Sequence, residues 1–210
     1  GFKRRNGGVT ALFSMETSEL LAILPQFTMS GLRVGATTGL ATKLLARPDA
    51  QSVAVFGSSK VARGDLEGIA YSRKLKRVRV FSPNPDHRND FARDMSDRIG
   101  IEVTPVDEPR KAIEGADIIS VSTGSRKPVF DGDWLVPGQF VSTTMSTPYP
   151  RHPLSPAWKE RYADADPLGG LEVDVKTLVR ADTIAILTRE MILNENQRDV
   201  LDLIDAGTLS

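Results

Sequence analysis

Short apolar runs, separated by polar punctuation, divide the chain into elements. GVTALFSM (8–15) and ELLAIL (19–24) flank Glu16, Thr17 and Ser18, a pattern that predicts a β-hairpin. Leu32, Ala36, Leu40, Leu44 and Leu45 recur near helical spacing through residues 30–46, and the glycines and alanines among them predict a helix packed closely against a neighbour. RPDAQ (47–51) breaks it. From residue 52 the text becomes regular. SVAVF (52–56), RVRVF (77–81), IEVTPV (101–106), DIISVS (117–122) and QFVSTT (139–144) read as strands. Between them lie a helix from Val61 to Arg73, another from Asp86 to Ile99, and PRKAIEGA (109–116). Strands alternating with helices predict βαβ units, hence an α/β fold with a doubly wound parallel sheet. After Pro148 the pattern is irregular until TIAIL (183–187), read as a last buried strand, and the polar helix REMILNENQRDVLDLID (189–205). No internal repeat or low-complexity segment interrupts this order.

The first of the regular strands runs into VAVFGSSKVA (53–62). A glycine-rich turn between a strand and a helix lets the backbone approach a pyrophosphate, which the helix N-terminus then meets with free N–H groups and partial positive charge. Gly57 stands at the first glycine position, Ser59 at the second and Ala62 at the third, so the Rossmann dinucleotide pattern is present through substitutions. Ser58, Ser59, Lys60, Val61 and Ala62 are the cofactor-contact candidates beside Gly57. An ordinary tight turn is the alternative. At the end of the second regular strand, an acid would bind the ribose 2′-OH of NAD; the chain has Ser82, Pro83 and Asn84, then His87 and Arg88. The missing acid and the basic neighbours tip the expectation from NAD toward NADP, against a plain solvated turn.

Composition narrows the classes. With 210 residues and 40% hydrophobic content, the chain can bury a substantial core. Lys+Arg and Asp+Glu both total 27, which gives no general attraction to nucleic acid or an anionic membrane. There is no cysteine and only two histidines, His87 and His152, which argues against thiol chemistry and a histidine-rich metal site. GFKRRNGG at the start lacks the apolar centre of a signal peptide, so the expected location is cytoplasmic. The chain starts without methionine and stops within an amphipathic stretch, and it is read as a fragment of a longer protein.

GGVTALFSMETSELLAI, LRVGATTGLATKLLARPDA, VAVFGSSKVARGDLEGI, RVRVFSPNPDHRNDFA, GADIISVSTGSRKPVFDGDWLVPGQFV and VKTLVRADTIAIL resemble, in order, the ornithine cyclodeaminase/mu-crystallin family. RPDA before the first regular strand and PVFDGDWLVPG (128–138) are the most distinctive stretches. The resemblance implies a Rossmann domain over 48–182 and the remnants of a second, substrate and dimerisation domain over 1–47 and 183–210. It implies a homodimer and a nicotinamide cofactor that exchanges hydride with an α-amino acid or cyclic imine. The family lysine near the substrate falls in the part of the fold that precedes Gly1.

Residue roles follow from the same resemblance. Arg33 matches the arginine that pairs with the substrate carboxylate, although Val34 replaces the threonine that usually follows it; a structural ion pair is the alternative. Ser122 and Thr123 match the loop beside the nicotinamide. The family aspartate that serves as general acid/base lies in a stretch like GADTPGKREL. Aligned on Leu154 of MSTPYPRHPL (145–154), that stretch puts Thr147 at the aspartate and Pro153 at the glutamate. A threonine accepts no proton near neutral pH without a partner base. His152 is a substitute titrating group or a surface loop residue. Two functions therefore stay open: an NAD(P)-dependent reductase, dehydrogenase or cyclodeaminase, and an NAD(P)H-binding protein without turnover. A domain of the same class holding some other nucleotide is the third.

Overall fold

The structure is a computed structural model that describes residues 8–125, 127–144, 172–186 and 203–207, with the backbone alone for 25–28. A hairpin of β1 (Val9–Phe13) and β2 (Leu20–Pro25) leads into the long helix α1 (Gln26–Leu45). A five-stranded parallel sheet follows, built from β3 (Ser52–Phe56), β4 (Arg77–Phe81), β5 (Val103–Val106), β6 (Ile118–Val121) and β7 (Phe140–Thr143). Helices α2 (Lys60–Ser72), α3 (Pro85–Ile99) and α4 (Pro109–Ile113) make the crossovers, and α5 (Val175–Val179) follows β7. The strand order is β5-β4-β3-β6-β7, so the chain winds outward from β3 and then returns to start the other half beside it.

All five residues of the central strand β3 are buried, as are all four of β6. A strand covered on both faces needs apolar residues at odd and even positions alike, which is why SVAVF and IISV read as continuous apolar runs. Val53 and Val55 face one core with Leu66 and Ile69 of α2 and Phe91 and Met95 of α3. Ala54 and Phe56 face the other with Ile113, Phe130 and Leu135. Helix α2 buries Ala62, Asp65, Leu66 and Ile69, the i, i+3, i+4, i+7 stripe of an amphipathic helix. Asn84 caps α3, Pro85 opens it, and Gly100 closes it in the left-handed region at φ 68°.

Helix α1 is the closely packed helix its small residues predict. It crosses α2 through glycines: a Cβ on Gly35 would lie 2.2 Å from the Gly64 carbonyl oxygen, and one on Gly39 would lie 2.6 Å from that of Gly68. The break after α1 is pinned to the sheet. Asp117 accepts from Arg47 at 2.6 Å, from the Gln51 and Ser52 N–H groups at 2.9 and 3.0 Å, and from the Ser52 hydroxyl at 2.6 Å.

One strand expectation is overturned. Residues 183–186 of TIAIL are not extended in a ladder, and Ile186 is exposed. An apolar run becomes a strand only where a neighbouring backbone completes its hydrogen bonds, and no described strand pairs with it. Of the predicted helix 189–205, residues 189–202 lie outside the described residues. Among the described residues no helix is long and apolar enough to cross a membrane.

Candidate functional site

The carboxyl ends of β3, β4 and β6 open into one cleft of about 430 Å³. Its walls come from the turn after β3 (Gly57, Ser58, Ser59), the end of β4 (Phe81, Ser82, Pro83) with His87, and the loop after β6 (Ser122 to Ser125). The cleft sits where strand order reverses between β3 and β6, the position at which parallel sheets receive ligands.

Gly57 is required by geometry. Its φ is +106°, and a Cβ would lie 2.5 Å from the Ser122 carbonyl oxygen. Its N–H donates to the Phe81 carbonyl at 2.9 Å, so the turn is tied to β4 on one side and abuts the β6 loop on the other. Ser59 turns its hydroxyl back into the protein. That oxygen accepts from the Ala62 N–H at 3.2 Å as the N-cap of α2 and donates to the Ser122 carbonyl at 3.3 Å. Hence the hydroxyl proton of Ser59 is committed to Ser122. The first turn of α2 holds no acidic residue, and Lys60 and Val61 form its start. Arg63 clamps the turn from α2, donating to the Ser58 carbonyl at 2.6 Å and to Asp94 at 2.8 Å. That hydrogen bond from Arg63, with help from Arg98 and against partial burial, holds the Asp94 carboxyl below the usual carboxylate range.

The end of β4 is also knitted into the turn. Ser82 is buried, and its hydroxyl accepts from Ser58 at 3.1 Å. Arg88 donates to the Ser82 carbonyl at 3.0 Å, while the Asn84 side chain accepts from the His87 N–H at 3.1 Å. Of the expected set, Arg88 and Asn84 thus shape the strand end, and His87 reaches the cleft.

Two fully buried carboxyl groups grip the loop after β6. Asp65 of α2 accepts from Thr38 of α1 at 2.7 Å, from Thr144 at 3.0 Å and from the Ser122 hydroxyl. Glu172 takes the next two residues through one oxygen: its Oε1 accepts from the Thr123 N–H at 2.6 Å, the Gly124 N–H at 2.7 Å and the Thr123 hydroxyl. Its Oε2 accepts from Thr143 at 3.2 Å. Burying a carboxyl group demands such donors.

Neither acid is among the residues that the sequence singles out. GADTPGKREL laid on residues 164–173 matches at Ala165, Asp166, Gly169 and Glu172, whereas laid on 145–154 it matches only at Leu154. Thr147, His152 and Pro153 lie outside the described residues. Arg33 is exposed on α1, two positions from both Gly31 and Gly35 and so on the face turned away from the α2 seam. Among the described residues no group of three or more metal-ligating side chains converges.

Comparison with known proteins gives one answer. The ornithine cyclodeaminase/mu-crystallin family matches residues 4–148. The chain is similar to the Delta(1)-pyrroline-2-carboxylate reductase of Bacillus cereus, with 27% identity over 94% of this chain and 65% of that one. It superposes on the Thermococcus litoralis Delta(1)-pyrroline-2-carboxylate reductase, solved with NADH and L-proline, with TM-score 0.75 and 26% identity over 95% of this chain and 55% of the other. A probable ornithine cyclodeaminase from Bordetella pertussis gives TM-score 0.74 and 26% identity over 96% and 58%. The chain spans less than two thirds of the length of each of the three.

Proposed function

The chain belongs to the ornithine cyclodeaminase/mu-crystallin family, and from that premise we propose that it binds a nicotinamide dinucleotide in the cleft between β3 and β6 and serves hydride transfer at the carbon–nitrogen bond of a small α-amino acid or cyclic imine. The observation that carries this reading is the contact of Gly57 with the Ser122 carbonyl. It leaves no room for a side chain where the backbone turns under the cleft. The residues present fit the group: an open cleft at the strand ends, a first turn of α2 without acids, and backbone in place of bulk at Gly57. The bound nicotinamide supplies the hydride chemistry.

The chain's own residues bind and orient. Gly57 to Ala62 receive the pyrophosphate, with Lys60 adding charge. Ser82, Asn84 and Arg88 form a strand end without a carboxylate, which extends the reading to a 2′-phosphate and hence to NADP beside NAD. Ser122 and Thr123 flank the nicotinamide, and Arg33 pairs with the substrate carboxylate. The family spacing puts the acid/base aspartate six residues before the glutamate. Laid so that its glutamate falls on Glu172, the same stretch offers Asp166 beside Thr147, and we assign Asp166, whose carboxylate can accept a proton, the role of holding and moving the substrate proton. Segments 1–47 and 183–210 belong to a second domain that completes the substrate site and a homodimer. The exposed Val9, Leu12, Leu21 and Ile23 of the hairpin support it.

The test is turnover by the full-length protein with NADH or NADPH and a cyclic imino acid such as Delta(1)-pyrroline-2-carboxylate, followed by nicotinamide absorbance. We expect cofactor consumption that Asp166→Asn lowers about 10²- to 10⁴-fold, while Thr147→Ala stays within about threefold of wild type. Saturable cofactor binding without turnover on any cyclic imine or amino acid would return the reading to a binding protein.

A further inference from the structure

We infer that Glu172 makes Thr123 a hydrogen-bond acceptor, and that the cleft therefore selects the amide form of the nicotinamide ring over its carboxylic-acid analogue. The inference rests on the dinucleotide reading above.

A threonine hydroxyl has one proton and two lone pairs. At Thr123 the proton goes to Glu172 Oε1, and one lone pair accepts from the Ser125 N–H at 2.9 Å. The assignment does not depend on the charge of Glu172, because the same Oε1 also accepts from the Thr123 and Gly124 N–H groups and so acts as an acceptor. Glu172 is fully buried, which keeps water from replacing it as the partner. Thr123 is left with a lone pair and no proton to offer. Thr123 and Gly124 both line the cleft. A ligand group that meets this hydroxyl must donate to it. The carboxamide NH₂ of nicotinamide donates; the carboxylate of nicotinic acid only accepts, and would face an acceptor with no proton between them. Glu172 does not touch the ligand, so it acts as a positioning residue through Thr123.

The experiment is calorimetric binding of three probes to the full-length protein: NAD, nicotinic acid adenine dinucleotide, and ADP-ribose, which lacks the ring altogether. We expect wild type to bind NAD about tenfold or more tighter than the acid analogue. Thr123→Val should reduce that ratio to about threefold or less, and Thr123→Ser should keep it. Glu172→Gln should keep it too, because the amide Oε1 still accepts the Thr123 proton, and ADP-ribose affinity should stay within about threefold throughout. Four results overturn the inference. The first is a wild type with no preference for the amide form. The second is a preference that survives in Thr123→Val, which would assign it to the charge of Glu172 instead of the hydroxyl. The third is its loss in Thr123→Ser. The fourth is ADP-ribose binding that falls together with NAD binding in the variants, which would mean only that the loop has collapsed. A wild-type protein that binds neither NAD nor ADP-ribose overturns the dinucleotide reading itself. Should Glu172→Gln fail to fold, the two Thr123 variants decide the matter alone.

Discussion

Gly35 of α1 and Gly68 of α2 meet backbone to backbone: a Cβ on Gly68 would lie 1.9 Å from the Gly35 carbonyl oxygen. Nothing in such a contact can move aside as a side chain does. Gly35→Ala, whose Cβ would press on Gly64, is expected to cost about 1–3 kcal/mol or more through separation of the two helices. Gly31→Ala is the control, since its Cβ meets nothing within 4 Å, and it should stabilise by about 0.5–1 kcal/mol through helix propensity. Denaturant unfolding of the two variants checks the contrast.

Ser59 separates capping from ligand access. Ser59→Ala removes the acceptor for the Ala62 N–H and should cost about 1 kcal/mol of stability. Ser59→Gly should cost only a few tenths, while taking the side chain out of the turn, and should tighten dinucleotide binding about three- to tenfold. Unfolding and titration of the two variants side by side read both effects.

Asp117 holds the segment after α1 against β3, and its removal strands the Gln51 and Ser52 donors. Asp117→Ala should destabilise by about 2–4 kcal/mol. Burial pushes its carboxyl upward, but hydrogen bonds from Ser52 and Gln51 and the Arg47 charge outweigh it and hold the group below the ordinary aspartate range. The folded state therefore binds this proton less readily than the unfolded state. The stability it contributes is complete above the ordinary aspartate range and is lost as pH falls through the lowered folded value. Asp117→Asn should be less stable at neutral pH and lose less on acidification, with the remaining acid limb carried by groups shifted the same way, such as Asp94 and Asp174. Urea midpoints across an acid pH series measure it.

The sheet was legible because each of its strands is a short apolar run between helix signals. β3 begins and ends at the residues read from SVAVF, and β4 at those read from RVRVF. TIAIL carries the same local signal and forms no described strand, since apolar character states a need for burial and not which backbone will pair with it. The turn at Gly57 was legible by residue type, but the direction of the Ser59 hydroxyl was not: one oxygen could have faced a phosphate or the helix, and the choice follows from the nearby Ser122 carbonyl. Asp65 and Glu172 were missed for a common reason. Each looks like a surface acid in a polar stretch, and only the fold brings Thr38, Ser122 and Thr144 around one and the Thr123–Gly124 backbone around the other.

The most direct test is a calorimetric titration of NADH and NADPH into the full-length protein and its Gly57→Ala variant. Saturable binding of at least one cofactor to wild type, lost in a Gly57→Ala protein that remains folded, is the predicted result. Absence of saturable binding to wild type at millimolar cofactor, or undiminished binding by Gly57→Ala, would contradict the placement of a dinucleotide over the Gly57 turn.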